Sequence, residues 1–193
     1  MAIDTLLERY PKTVTLKDGS KAIIRPLEHK DTKTLHEFFT AIPEMERLFM
    51  KQRVTDLDVV RSWCRNIDYL RNLPLLAVQG DKIVADGTLH QQQGGWKRHI
   101  GRISIVVRPQ ARAKGLAKVL VAEMIYIAQH LGLERLEAEF LGDQKAARHV
   151  CATLGFNDLL ILEGYCKDMQ ALTHDYVLMG RKITTDEEFA GAE

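Results

Sequence analysis

Apolar positions along this chain recur in two rhythms. Between residues 14 and 24, Val14 and Leu16 alternate with polar neighbours, Asp18-Gly19 supplies a turn, and Ala22 to Ile24 returns, which predicts a hairpin closed by Pro26. Over 31–43 the period lengthens to that of a helix. Leu35, Phe38, Phe39 and Ile42 share a face, Asp31 stands as N-cap and Pro43 as stop. A second helix is predicted from Thr55 or Asp56 through Val59, Val60, Trp63, Ile67 and Leu70, ending near Pro74. Strands are predicted over 73–80 and 82–93 about Gly80-Asp81, and Gly94-Gly95 turns the chain into another over 99–107. A helix over 115–132, a strand over 133–141, a short helix over 144–156 and strands over 159–165 and 175–183 complete the order. No segment repeats, so the order predicts a single mixed α/β sheet, partly antiparallel, over residues 1–183. The acidic run 184–193 is expected to be a loose tail.

Composition narrows the function classes. A chain of 193 residues with 46% hydrophobic and 27% charged residues is an ordinary globular domain with room for a sizeable core. The net charge of +1 offers no global field for nucleic acid or an anionic membrane, so any anion site must be local. No run approaches the ~20 apolar residues of a membrane span. The opening MAIDTLLERYPK has no signal-peptide pattern. Cys64, Cys151 and Cys166 form neither a CxxC pair nor a disulfide framework, which makes a reducing cytoplasm the expected location. No spacing of His, Cys and carboxylates suggests a metal.

The candidate chemistry lies in RISIVVRPQARAKGLAKVL. An apolar strand runs through a basic loop carrying Arg108, Arg112, Lys114 and Gly115 straight into a helix. A helix start leaves backbone N–H groups unpaired and carries the positive end of the dipole, so it binds anions. Gly115 lets the backbone approach a ligand or take a left-handed conformation. The loop is therefore a candidate phosphate or pyrophosphate cradle, although it is neither a Walker loop nor a dinucleotide fingerprint. An ordinary solvated helix start remains the alternative at this point.

Those residues resemble the GNAT superfamily of acetyl-CoA-dependent N-acetyltransferases. The family's [QR]xxGx[GA] loop stands here as Arg112-Ala113-Lys114-Gly115-Leu116-Ala117. Its pattern N-x-x-A-x-x-x-Y-x-x-x-G-F stands as QKAARHVCATLGF, from Gln144 to Phe156. DYVLMGRKI is similar to its last strand, and the resemblance covers roughly 75–182. It implies a GNAT fold, a central, mostly antiparallel sheet of about seven strands flanked by helices on both faces. It also implies that the loop amides hold the coenzyme A pyrophosphate. The pantetheine arm would lie along Ile105, Val106 and Val107, with an amide there polarising the thioester carbonyl. Gln144, in place of the family's asparagine, could hydrogen-bond the pantetheine amides. An amine would attack acetyl-CoA directly, and no metal is implied.

A lysine-like amine has a reference pKa near ~10.4, so the site needs a base, and the departing thiolate needs an acid. On the strand 133–141, Leu136, Ala138 and Phe140 share one face while Arg135, Glu137 and Glu139 share the other. Ribosomal-protein N-terminal acetyltransferases place a catalytic glutamate twelve residues before the catalytic tyrosine, and Glu139 and Cys151 stand twelve apart. Glu139 is thus the leading base candidate, with a rim salt bridge to Arg135 or Arg148 as its structural alternative. The family's tyrosine is replaced by Cys151, for which core packing with Ala147, Val150 and Leu154 is favoured over a thiol acid or nucleophile. Tyr165 is the substitute acid candidate.

Other features take structural readings. His90, on a strand expected to flank the substrate cleft, is read as a structural histidine. His130 and His149 are read as solvated, Trp96 as a hairpin-tip or interface aromatic, and the basic run 97–102 as no nucleic-acid patch. The opening 14–39 resembles acetyltransferase domains that acetylate protein lysines, but Arg102 stands where those carry a glutamate. The segment 42–73, expected to wall the acceptor side, mixes acids and bases and selects no acceptor. A small-molecule amine, a peptide N-terminus and a protein lysine all stay open. So do a non-catalytic acyl-CoA-binding domain on the same fold and an unrelated phosphate-binding α/β protein. Exposed edge strands would permit a homodimer.

Overall fold

The structure is a computed structural model that describes residues 3–47, 50, 52–168 and 170–183. Its centre is an eight-stranded sheet in the order β1-β2-β3-β4-β5-β6-β8-β7. The strands are β1 (Lys12–Thr15), β2 (Lys21–Pro26), β3 (Asn72–Gln79), β4 (Lys82–His90), β5 (Ile100–Val107), β6 (Arg135–Leu141), β7 (Asn157–Lys167) and β8 (Thr173–Lys182). Only β5 and β6 run parallel; every other neighbouring pair is antiparallel. Eight strands stand where the family resemblance implied about seven, because the short β1–β2 hairpin joins the sheet at its edge. The expected tail 184–193 lies outside the described residues.

Helices cover both faces. On one face α5 (Leu116–His130) and α6 (Lys145–Thr153) bury Leu120, Val121, Met124 and Cys151 against Leu75, Ala85, Ile103, Leu136 and Val177. α1 (Ile3–Leu7) packs Leu6 into the same core. It leads to a polar clasp in which Tyr10, Lys12 and Arg9 converge on the buried Glu123 of α5 at 2.8, 2.6 and 3.2 Å. On the other face α2 (Thr32–Thr40) and α4 (Leu57–Arg65) bury Leu35, Phe38, Phe39, Val60 and Cys64 against Leu76 and Ile83. The four-residue α3 (Glu44–Arg47) lies between them in sequence.

Four sequence expectations change. Asp31 does not cap α2 with its side chain, because both carboxylate oxygens take Arg25 at 2.6 and 2.7 Å and one takes the Glu28 amide. The helix begun at Asp56 ends at Arg65, short of Leu70. Beyond it the Asp68 carbonyl and carboxylate gather the amides of Leu70, Arg71 and Asn72 into a turn that competes with the helix. Pro74 ends no helix; it lies in β3 one residue beyond the β2 ladder, where a missing N–H breaks no pairing. On α6, Ala147 is exposed instead of joining Cys151 in the core.

Candidate active site

The parallel ladder between β5 and β6 is short. It ends where Ile103 lies opposite Ala138, although β5 runs on to Val107 and β6 to Leu141. Beyond that pair β5 stays bonded only to β4, and β6 only to β8. The sheet therefore splays, and β5 residues 104–107 form one lip of the opening. Ile105 and Val107 turn to the α5 core and Val106 to the α2–α4 core, so all three are held from both faces.

At the top of that lip the chain makes a 3-10 turn, Pro109–Ala111, and enters α5 through two residues of positive φ, Ala113 at 61° and Gly115 at 94°. Among the described residues, the amides of Ala113, Lys114, Gly115, Leu116, Ala117 and Lys118 find no acceptor; the first capping bond runs from Val119 to the Gly115 carbonyl. A run of unpaired amides at the positive end of a 15-residue helix suits an anion. The positive φ of Ala113 is strained backbone of the kind that collects at ligand sites.

The loop is braced, and its cations are spoken for. Lys114 bonds Asp18 at 2.9 Å, and its carbonyl accepts the Lys17 amide, fastening the loop to the β1–β2 turn. Ser20 and Lys114 together hold the Asp18 carboxyl down at about 2. Arg112 donates through Nε to the Val107 carbonyl at 3.1 Å and pairs through Nη2 with Glu46 of α3 at 2.6 Å. The free positive charge expected of these two residues is thus balanced by acids, leaving the amides as the main anion donors.

On the α2–α4 face of the sheet, Glu139 stands at the mouth of the splay. It pairs with Arg102 at 3.1 Å and accepts the Tyr176 hydroxyl at 3.1 Å. Tyr176, on β8, is pushed up to about 12 by burial and by that carboxylate. Tyr165, 68% exposed, sets its ring centroid 5.9 Å from the ring of Tyr176. Arg102 Nε is buried without a partner among the described residues. Cys151 is 1% exposed on the other face, where it packs in the core, and burial pushes its thiol up to about 11. Gln144 spends its side-chain oxygen on the Leu141 amide at 2.9 Å, holding the turn from β6 into α6.

Sequence reasoning missed Tyr176. Strand parity carried the signal: Val177 and Met179 are core, so Tyr176 must face the side of Glu139, diagonally across the β6–β8 pairing. Among the described residues no cluster of three or more His, Cys, Asp or Glu could hold a metal, and no helix is long and apolar enough to cross a membrane.

A family profile for the acetyltransferase (GNAT) domain matches residues 21–157, and the chain belongs to that family. No curated protein sequence matches the chain. Among solved structures, the GNAT domain of PAT from S. lividans superposes with a TM-score of 0.72 at 17% identity, covering 89% of this chain and 96% of that one. Ribosomal-protein-S5-alanine acetyltransferase from Vibrio fischeri gives 0.74 at 14% identity, covering 84% and 93%. YncA from Salmonella typhimurium, solved with its cofactor acetyl-CoA, gives 0.73 at 17%, covering 86% and 95%. At such identities these likenesses speak for the fold.

Proposed function

We propose that the chain is a cytoplasmic N-acetyltransferase that moves an acetyl group from acetyl-CoA to a primary amine by direct attack. The observation that carries this reading is the run of unpaired amides from Ala113 to Lys118 among the described residues, at the end of β5, where its ladder to β6 has opened. Those amides, and the left-handed turn at Gly115, suit the coenzyme A pyrophosphate. The lip at Ile105, Val106 and Val107 is where backbone groups could pair with the pantetheine arm. Acetyl-CoA supplies the activated thioester; the chain's residues orient the reactants and move protons.

Glu139 is held on two sides, so we assign it to attracting the positive charge of the incoming amine in preference to acting as free base. Tyr176 and Tyr165 are the phenols on hand for the departing sulfur, in place of the family tyrosine that Cys151 replaces. Gln144 has only its N–H2 left to offer a pantetheine carbonyl. A second copy of the chain would add at the β7 edge, where Leu159, Leu160 and Ile161 are exposed. The acceptor is sought with a panel of small amines, peptide N-termini and lysine peptides, following thiol release. Glu139→Gln should raise KM for the amine more than it lowers kcat. A panel that leaves tight acetyl-CoA binding without thiol release would favour the non-catalytic acyl-CoA-binding alternative, which the burial of Cys151 keeps in view.

A further inference from the structure

A chain of three polar side chains crosses the sheet floor beside the splay. Asn72 on β3, His90 on β4 and Ser104 on β5 lie on neighbouring strands, Asn72 directly opposite His90. Asn72 Oδ1 lies 2.7 Å from His90 Nδ1, and His90 Nε2 lies 3.0 Å from Ser104 Oγ. An amide oxygen can only accept, so Nδ1 carries the hydrogen. In the neutral imidazole Nε2 is then an acceptor, and the Ser104 hydroxyl must donate to it. The order is hydroxyl to imidazole to fixing carbonyl, the arrangement by which an enzyme makes a hydroxyl a proton acceptor.

Its position matters as much as its order. Ser104 is the first β5 residue past the last β5–β6 pair and is exposed on the α2–α4 face. That is the side of Glu139, with which Arg102, His90's cross-strand neighbour, is paired. Glu139 is occupied by Arg102 and Tyr176, so the proton shed by an attacking amine needs another route.

We infer that Ser104, His90 and Asn72 form the proton relay that serves as general base in acetyl transfer. This rests on the acetyltransferase reading above. The incoming ammonium first gives one proton to solvent; as the neutral amine nitrogen then bonds the acetyl carbon and the carbon–sulfur bond breaks, its next proton passes to Ser104 Oγ. The Ser104 proton passes to His90 Nε2, and Asn72 Oδ1 holds the imidazolium. The released sulfur takes its proton from a phenol, Tyr176 or Tyr165, and the imidazolium proton returns through Ser104 and solvent to restore that phenol, so the net products are amide, thiol and the proton first given to solvent. Ser104 is the catalytic residue, while His90 and Asn72 act through it.

The charged groups around His90 are Asp86 on its own strand, Arg102 on β5, Glu137 and Glu139 on β6, and Asp68 and Arg71 in the turn before β3. The relay works only while His90 is neutral, so the rate must fall as pH drops and the imidazole takes up a proton.

Two measurements test this. The first is the long-range nitrogen–proton NMR spectrum of the imidazoles in wild type and Ser104→Ala, which needs no acceptor. The inference expects His90 as the Nδ1–H tautomer, with Nε2 shifted when the serine hydroxyl is lost. An Nε2–H tautomer, or an imidazole indifferent to Ser104→Ala, overturns it. The second is thiol release by wild type, Ser104→Ala, His90→Gln and the double variant. Each single change should lower kcat by about 10²-fold, the double no further, and His90→Gln should abolish the acidic limb of the pH profile. Additive losses, or an acidic limb that survives His90→Gln, overturn it. Calorimetric titration with acetyl-CoA separates the two levels: if wild type does not bind it, the acetyltransferase reading fails; if all variants bind it like wild type, any rate loss belongs to the relay.

Discussion

Cys151 separates two accounts of the site's protons. Cys151 is buried and its thiol is pushed up to about 11 by that burial, which favours the packing account. Cys151→Ala should therefore keep acetyl transfer near the wild-type rate and lose only packing. Cys151→Ser buries a hydroxyl and should cost about 1–3 kcal/mol, read as a Tm loss of roughly 2–4 °C per kcal/mol. A collapse of kcat in the alanine variant with Tm unchanged would make the thiol chemical after all. Asp86 carries a pH prediction. It retains some access to solvent, yet burial pushes its carboxyl up to about 7 against the partial relief of the Thr88 hydroxyl. In the unfolded chain it ionises near 3.8. Between those values the native state binds the extra proton, so stability falls as pH rises through that window and levels off above it. Asp86→Asn should flatten that slope and gain about 4 kcal/mol at pH 8 relative to pH 4 in urea titrations. An unchanged slope contradicts the assignment. At this scale the places of the loop residues, Gly115 and Glu139 in the candidate site, and the burial of Cys151, were legible from type and spacing. The Asn72–His90–Ser104 chain was not, because its members are far apart in sequence and only strand order makes them neighbours.

Elements transmit these positions. β5 carries the loop at one end and Gly101 near the other, where an added Cβ would lie 2.8–2.9 Å from the side-chain ends of Leu133, Leu136 and Leu89. Three contacts at once leave no direction of escape. Gly101→Ala should cost about 1–3 kcal/mol by overpacking, and the chain should still fold and bind acetyl-CoA with reduced thermal stability. A Tm equal to wild type contradicts the close packing of β5 against Leu89, Leu133 and Leu136. Strong period signals located α5, β5 and β6 to within a residue or two. The error at α4 came from Asp68, whose carboxylate offers the backbone a turn that apolar spacing at Ile67 and Leu70 does not reveal. α3 was missed because four residues bury no apolar face and so leave no period to read.

At the scale of the molecule, the sheet is two antiparallel units joined by four residue pairs between β5 and β6. A ligand seated in the splay touches both units, so its binding should stabilise the whole fold. At a ligand concentration of 100 times Kd the gain is about 2.7 kcal/mol, or a Tm rise of roughly 5–10 °C. ATP and dinucleotides should give no comparable rise; if either outdoes acetyl-CoA, the chain is a phosphate-binding protein of another kind.

The central claim is that the amides from Ala113 to Lys118 hold the pyrophosphate of acetyl-CoA. Calorimetric titration of wild type and Gly115→Asp tests it most directly. The Gly115 Cβ position is open apart from ordinary contact with the Lys17 side chain at 3.5 Å, but its φ of 94° strains any side chain there, so Gly115→Ala is the uncharged control for the negative charge that Gly115→Asp brings to the loop. Binding by wild type, with a loss of most affinity in a Gly115→Asp variant that melts as a folded protein, is the predicted result. Equal binding by the two proteins, or no binding by either, would contradict it.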